Sequence, residues 1–141
     1  MSSLERAIAI AAAAHAGQTD KAGAPYILHP LRVMLAVRTI DERIVAVLHD
    51  VLEDTPVTAE ELRAEGFPEH LLEALAAVTK IEGEDYEDFV RRAASHPIGR
   101  VVKLADLADN SDRSRLATVT AKDEERLERY RRAIALLHSL P

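Results

Sequence analysis

Between its glycines and prolines this chain returns to apolar residues every three or four positions, and no stretch alternates apolar and polar residues with period two over a convincing length. A helix repeats every 3.6 residues and a strand every two, so the pattern restricts the chain to helices packed on one another. Its 141 residues are enough for one domain with a real core, and the reading is an all-α, single helical bundle over residues 1–141. Leu4, Ile8 and Ala11 or Ala12 mark a first helix running to His15 and ended by Gly17. Residues 17–25, with two glycines and Pro25, read as loop. Pro30 suits the first position of a second helix through Val33, Met34 and Val37, which leaves His29 at or beside its N-cap. A third helix is expected from an Asp41 N-cap to Leu52, stopped by Pro56.

Thr58 and Glu61 form a capping-box pattern for a short helix that ends at Gly66, and Pro68 opens another with a buried stripe of Leu71, Leu72, Leu75 and Val78. Tyr86, Phe89, Val90 and Ala93 mark a further amphipathic helix. The segment Ile98 to Asp109 reads as central, with Val101, Val102, Leu104, Ala105 and Ala108 on a wide apolar face. Leu127, Tyr130, Ile134 and Leu137 predict that a last helix, Lys122 to Leu140, docks on the core.

The chemistry concentrates where the apolar run Ile44 to Leu48 gives way to His49, Asp50, Val51, Leu52, Glu53 and Asp54. On a helix, residues four apart lie about 5–6 Å from each other, so one turn carries an imidazole and three carboxyls without a base among them. Like charges at that spacing repel, and a cation should sit against them; imidazole with carboxylate suits manganese, iron or zinc. A hydrolytic metal site needs three or four protein ligands and a position left for water. Asp106, between apolar Leu104, Ala105, Leu107 and Ala108, is a second candidate carboxylate, since a buried acid wants a cation. Its plain structural alternative is a pairing with Lys103 or an arginine. Asn110, four residues on, shares its face and can orient a substrate or back the site. A further histidine is expected, and His15, His29 and His96 compete for the place; Pro25 and Pro30 stiffen the approach to His29, while His70 and His138 read as ordinary surface or core histidines.

Charge and composition bound the partners. Lys and Arg number 18 against 24 Asp and Glu, a net charge of −6, so no basic field draws nucleic acid and any anionic ligand must be held by local cations. The absence of cysteine excludes disulfides and thiolate metal sites and fits a reducing compartment. The longest apolar run, Ala7 to Ala14, is too short for a bilayer, and Glu5 cancels Arg6 where a signal peptide needs positive charge. A soluble, cytoplasmic protein with no membrane partner is expected, and an oligomer is possible.

Gly17-Gln18, then Gly23-Ala24-Pro25-Tyr26-Ile27-Leu28-His29-Pro30, then His49 through Thr55, then Val78-Thr79-Lys80, then Lys103-Leu104-Ala105-Asp106 with Asn110, resemble the hydrolase domain of the RelA/SpoT family, a member of the HD-domain phosphohydrolases. The resemblance runs over residues 1–117. It implies an all-helical fold with one metal, usually manganese, held by His29, His49, Asp50 and Asp106, and a water activated by Glu53 and Asp54. The activity it implies is hydrolysis of the alarmone guanosine 3′,5′-bis(diphosphate) at its 3′ position with release of pyrophosphate. The chain ends before a synthetase domain, so it looks like a small alarmone hydrolase standing alone. Lys21, Lys103, Arg113 and Arg115 are then candidates to neutralise the two diphosphates, with Asn110 as a substrate-orienting group.

The chain departs from the family at two places. Asp20 stands where the family usually has an arginine that packs on the guanine, which removes a planar cation and adds an anion. After Asp106 the family usually has Arg-Leu-His or a similar trio, and here Leu107, Ala108 and Asp109 stand there. An adenine alarmone, a 2′-phosphorylated dinucleotide or another nucleotide phosphate therefore competes as substrate of an HD phosphohydrolase, and a nucleotide sensor without turnover is the rival from another class.

Overall fold

The structure is a computed structural model and describes residues 3–141. The chain is all-α: among the described residues no strand forms, and Thr19 and Pro25 make an isolated antiparallel bridge at the neck of the first long loop. Helix α1, Leu4–Ala14, starts where Ser3 accepts a hydrogen bond from the Arg6 amide. Its buried residues are Ala7 and Ala11, small enough to let its backbone approach α3 closely. Helix α2, Leu28–Ala36, begins two residues before Pro30, so His29 lies inside the first turn rather than at the cap. Proline is tolerated there because the first amides of a helix have no internal acceptor anyway.

Helix α3, Ile40–Leu48, is capped by Thr39, which forms a full capping box with Glu42. The expected Asp41 cap is corrected: Thr39 supplies the extended backbone and hydroxyl that the cap requires, and Asp41 instead pairs with His70 at 3.0 Å. The expected run to Leu52 also breaks. His49 and Asp50 form a turn, and α4 is the short Val51–Asp54. The break has a local cause, since the His49 amide reaches back three residues to the Ala46 carbonyl, and the His49 ring donates from Nδ1 to the same oxygen at 2.6 Å. Thr55, extended before Pro56, ends α4.

Helix α5, Ala59–Ala64, is capped by Thr58, α6 spans Glu69–Ala77 and α7 spans Tyr86–Ala94. Helix α8, Pro97–Asn110, is capped by His96, whose ring nitrogen Nδ1 accepts from the amides of Ile98 and Gly99. A short 3-10 turn, Arg113–Arg115, precedes α9, Ala121–Ser139, whose Thr120 and Asp123 form a second capping box. Helix α8 is central, touching α2, α3, α6, α7 and α9. Its buried face, however, is Gly99, Val102, Lys103, Asp106 and Leu107, while Val101 and Ala108 face solvent. The expected apolar stripe is thus rotated toward two polar residues that must find partners inside.

The main apolar cluster joins α1, α2, α3 and α6 through residues such as Ala11, Val33, Val45, Leu48, Leu71 and Leu75. A smaller one, Val90, Leu107, Ala133 and Leu137, seats α9 against α7 and α8. Helices α2, α3 and α8 pack pairwise on each other, and the candidate site lies where they meet. Gly99 lets α8 start against the end of α7: a Cβ there would lie 2.9 Å from the Ala93 carbonyl oxygen. Gly99→Val is expected to lower stability by about 1–3 kcal/mol, read by urea unfolding followed by helical circular dichroism. An unchanged midpoint would show that the two helices part without cost.

Candidate metal centre

Four side chains from three helices converge. His29 comes from α2, His49 and Asp50 from the turn after α3, and Asp106 from the middle of α8. His29 Nε2 lies 2.9 Å from Asp106 Oδ1 and 3.6 Å from Asp50 Oδ2; His49 Nε2 lies 3.1 Å from Asp50 Oδ2 and 3.3 Å from Asp106 Oδ1. Bonds of about 2.0–2.2 Å to one ion would put neighbouring donors roughly 3.0–3.6 Å apart, close to these four nitrogen–oxygen distances; His29, His49 and Asp50 offer donor atoms that all lie within 4.8 Å of one another, and Asp106 stands against both imidazoles. The hydrogen bond from His49 Nδ1 to the Ala46 carbonyl requires a proton on Nδ1 and leaves Nε2 free to ligate.

Each donor is held from behind. Tyr26 Oη donates to Asp50 Oδ2. Asp106 takes Lys103 Nζ at 3.3 Å, the pairing raised as its plain structural alternative, and Asn110 Nδ2 at 3.1 Å from its own face of the helix. His29 Nδ1 lies 2.7 Å from Asp109 Oδ2, and Arg32 grips the same carboxylate through Nε and Nη2 at 2.7 and 3.1 Å. Lys103 is buried, and its ammonium lies 4.4 Å from the centre of the Phe89 ring.

The electrostatics follow from this crowding. Burial opposes charge on both imidazoles, yet hydrogen bonds to Asp106 and Asp109 hold His29 above the usual histidine range. The same contest, with Asp50 and Asp106 as partners, raises His49 well above it. Burial likewise pushes the acids up, but His49 brings Asp50 below the carboxylate range, and Lys103 with His49 brings Asp106 well below it. Asp109, opposed by burial but bonded to His29 and Arg32, falls to about 2.

Glu53 and Asp54 stand at the exposed lip beside the donors, with Asp50, Glu53 and Asp54 offering carboxylate oxygens within 4.8 Å of one another. Glu53 Oε1 accepts from the Lys80 amide at 2.9 Å, and Gln18 Nε2 donates to the Asp54 carbonyl at 3.0 Å. Partial desolvation, then the charges of Asp50 and Glu53, raise the Asp54 carboxyl above the usual range.

Two clefts meet over the site and share Tyr26, His29, Asn110 and Tyr130. The inner one, about 370 Å³, holds the donors, the acid pair, Lys80, Lys103 and Arg129. The outer one, about 380 Å³, holds Lys21, Arg32, Arg115, Arg126, Leu116 and Leu127. Lys21 is thus placed in the outer cleft and Lys103 in the inner one. Arg113 lines neither cleft and pairs with Glu124 at 2.7 Å, whereas Arg115 of the same 3-10 turn lines the outer one. His96 is spent as a helix cap. His15 is buried with Nδ1 against Gln18 Oε1 at 2.8 Å, one step behind Asp54. Asp20 lines the outer cleft while its Oδ1 accepts from the Ala22 and Ala24 amides of its own loop at 2.9 Å. Arg32 and Arg129 carry no signal in the sequence, and Tyr26, Lys80, Asp109 and Tyr130, though they stand in recognisable stretches, carry none for the site, since their partners lie far along the chain.

A family model described as HD domain matches residues 7–138. The guanosine-3′,5′-bis(diphosphate) 3′-pyrophosphohydrolase of Aquifex aeolicus is 36% identical over 119 residues, 76% of this chain and 17% of that protein. The protein of the same name from Borreliella burgdorferi is 45% identical over 83 residues, 56% of this chain and 12% of its own length. A probable GTP pyrophosphokinase of Mycobacterium leprae is 34% identical over 122 residues, 78% of this chain and 16% of that protein. The chain therefore spans less than a fifth of the length of these relatives. Among solved structures, that of a metazoan ortholog of SpoT that hydrolyses ppGpp superposes with a TM-score of 0.80 at 21% identity, over 96% of this chain and 85% of that one. At that identity the likeness is one of fold. Among the described residues no helix is long and apolar enough to cross a membrane.

The raised histidines set the sign of a pH effect. Without an ion, their protonated forms stabilise the fold fully below the ordinary histidine value, about 6.5, and that contribution is lost as pH rises through the folded values. A metal takes neutral imidazole, so its binding strengthens over the same rise. The melting temperature of the ion-free protein should fall as pH climbs above about 6.5, while the increment given by an added divalent metal grows. An increment that shrinks as pH rises would remove the histidines from the ligand set.

Proposed function

The chain belongs to the HD domain family, and from that premise we propose that it is a metal-dependent pyrophosphohydrolase of nucleotide 3′-diphosphates, with guanosine 3′,5′-bis(diphosphate) as the leading substrate. The observation that supports this most is the meeting of two imidazoles and two carboxylates in one cleft with a water-activating acid pair at its lip. His29, His49, Asp50 and Asp106 would hold the ion, and manganese is the proposed occupant because the set is nitrogen and oxygen without thiolate. Such an ion supplies Lewis-acid polarisation of a phosphoryl oxygen and makes water acidic enough to lose a proton near neutral pH.

The protein's own groups do the rest. Glu53 and Asp54 are both placed to take a proton from water, Asp54 with its carboxyl raised above the usual range and Glu53 held at the lip by the Lys80 amide. The water oxygen attacks the phosphorus bonded to the ribose 3′ oxygen. The bond between that phosphorus and the 3′ oxygen breaks, pyrophosphate leaves, and the 3′ oxygen regains a proton. Lys80, Lys103 and Arg129 line the inner cleft as partners for the departing diphosphate. Lys21 and Arg126 line the outer cleft, beside Leu116, Leu127 and the Tyr130 ring, as partners for the remainder of the nucleotide.

A second reading of the base follows from Asp20. It lines the outer cleft with Oδ1 bound by its own loop amides and offers no planar cation to stack on guanine, so an adenine alarmone is the second candidate substrate. The manganese-loaded protein, incubated with guanosine and adenosine 3′,5′-bis(diphosphates), is expected to release pyrophosphate from at least one. Release of orthophosphate from simple nucleotides with both alarmones intact would overturn the proposal in favour of another HD phosphohydrolase. Glu53→Gln is expected to cut turnover by about 10²–10⁴-fold while substrate still binds. Turnover within a few-fold of the parent would take Glu53 out of the reaction.

A further inference from the structure

We propose that Asp109 is a positioning residue for His29, fixing the ring so that Nε2 alone faces the metal centre. The inference rests on the reading of the cleft as a metal site and extends it to residues outside the ligand set. It comes from the way two helices pair. Helix α2 presents His29 and, one turn on, Arg32; α8 presents Asp106 and, one turn on, Asp109. The two carboxylates of α8 take the two nitrogens of a single ring, Asp106 Oδ1 at Nε2 and Asp109 Oδ2 at Nδ1.

The outer of these contacts is built more firmly than a surface pair needs. Arg32 Nε reaches Asp109 Oδ1 at 2.7 Å and its Nη2 reaches Oδ2 at 3.1 Å, a forked contact that fixes the plane of the carboxylate. Arg115 closes the other side, with Nη2 at 2.7 Å from the Asp109 carbonyl and 3.5 Å from Oδ2. The Asp109 side chain is 12% exposed, and that of His29 is 6% exposed, so the bond between them is shielded from water. A carboxylate so held is an acceptor in one direction only. It keeps a proton on Nδ1, leaves the Nε2 lone pair for an ion, and stops the ring from rotating. The other imidazole of the site obtains the same service from the Ala46 carbonyl. The two histidines are therefore oriented by different means, one by backbone and one by a charged side chain that a substitution can remove. Partners of this kind change metal affinity about 10–100-fold when lost.

The alternative is that Arg32 and Asp109 merely bridge α2 to α8. Two variants separate the two. Asp109→Ala removes the acceptor of His29, whereas Arg32→Met breaks the bridge and leaves that acceptor in place. Manganese affinity, measured by competition with a fluorescent chelator, is expected to fall about 10–100-fold in Asp109→Ala and distinctly less in Arg32→Met. In the zinc-loaded parent, long-range proton–nitrogen spectra should show His29 protonated at Nδ1 and coordinated through Nε2; that state should persist in Arg32→Met and be mixed or lost in Asp109→Ala. If Asp109→Ala does not fold, Asp109→Asn carries the test, keeping an acceptor of similar shape without its charge, and an affinity between those of the parent and a His29→Ala control is expected. Equal losses in Asp109→Ala and Arg32→Met would make the pair a structural bridge and overturn the inference. So would an affinity within twofold of the parent, with the His29 spectrum unchanged, in Asp109→Ala. A parent that binds neither manganese nor zinc would overturn both this inference and the metal reading beneath it.

Discussion

The Asp106 carboxylate is the charge around which the interior is arranged. Burying an ionised group costs several kcal/mol unless it is paired and hydrogen-bonded, and Asp106 is 7% exposed at the junction of three helices. Its two oxygens are shared among Lys103, Asn110, His29 and His49. This demand explains why α8 turns Lys103 and Asp106 inward and leaves Val101 and Ala108 to solvent. A helix oriented by its apolar residues alone would have done the reverse.

Lys103 ties that charge to the rest of the molecule. Its ammonium touches Asp106 on one side and faces the Phe89 ring on the other, while Phe89 and Val90 of α7 are buried beside the cluster that seats α9. The polar centre and the second apolar cluster are thus neighbours through one side chain. The main cluster supports the centre from the opposite direction, because His49 ends an α3 whose Ile44, Val45, Ala46, Val47 and Leu48 are all buried. The donors are therefore carried by packed helices, and their spacing is set by how those helices fit.

Local pattern made much of this legible. The apolar periods of α1, α6, α7 and α9 lie along the sequence itself, and Pro68, Gly66 and Thr58 punctuate where their chemistry says they should. Boundaries failed where two local signals competed, as when Thr39 rather than Asp41 took the cap of α3, or when α2 ran back past Pro30. The rotation of α8 was beyond local pattern, since it is decided by Asp106 and its partners from other helices. The four donors stood out as residue types in motifs, and so did Lys103 and Asn110, which share a helix with Asp106, but the groups behind the donors from other helices did not. Tyr26 is 24 residues from Asp50, and Arg32 is 77 from Asp109; nothing within a window of either announces the other. Arg113 and Arg115 differ by two positions, and only the 3-10 turn between them decides which enters the cleft.

The acid pair has a different foundation from the donors beside it. Helix α4 is four residues long, too short to stand on its own ladder of hydrogen bonds, and takes its place from Val51, fully buried in the main cluster, and from Gln18 of one loop and Lys80 of another. The two carboxylates at the lip thus owe their positions to one buried valine and two loop contacts, where the four residues behind them are set by whole helices.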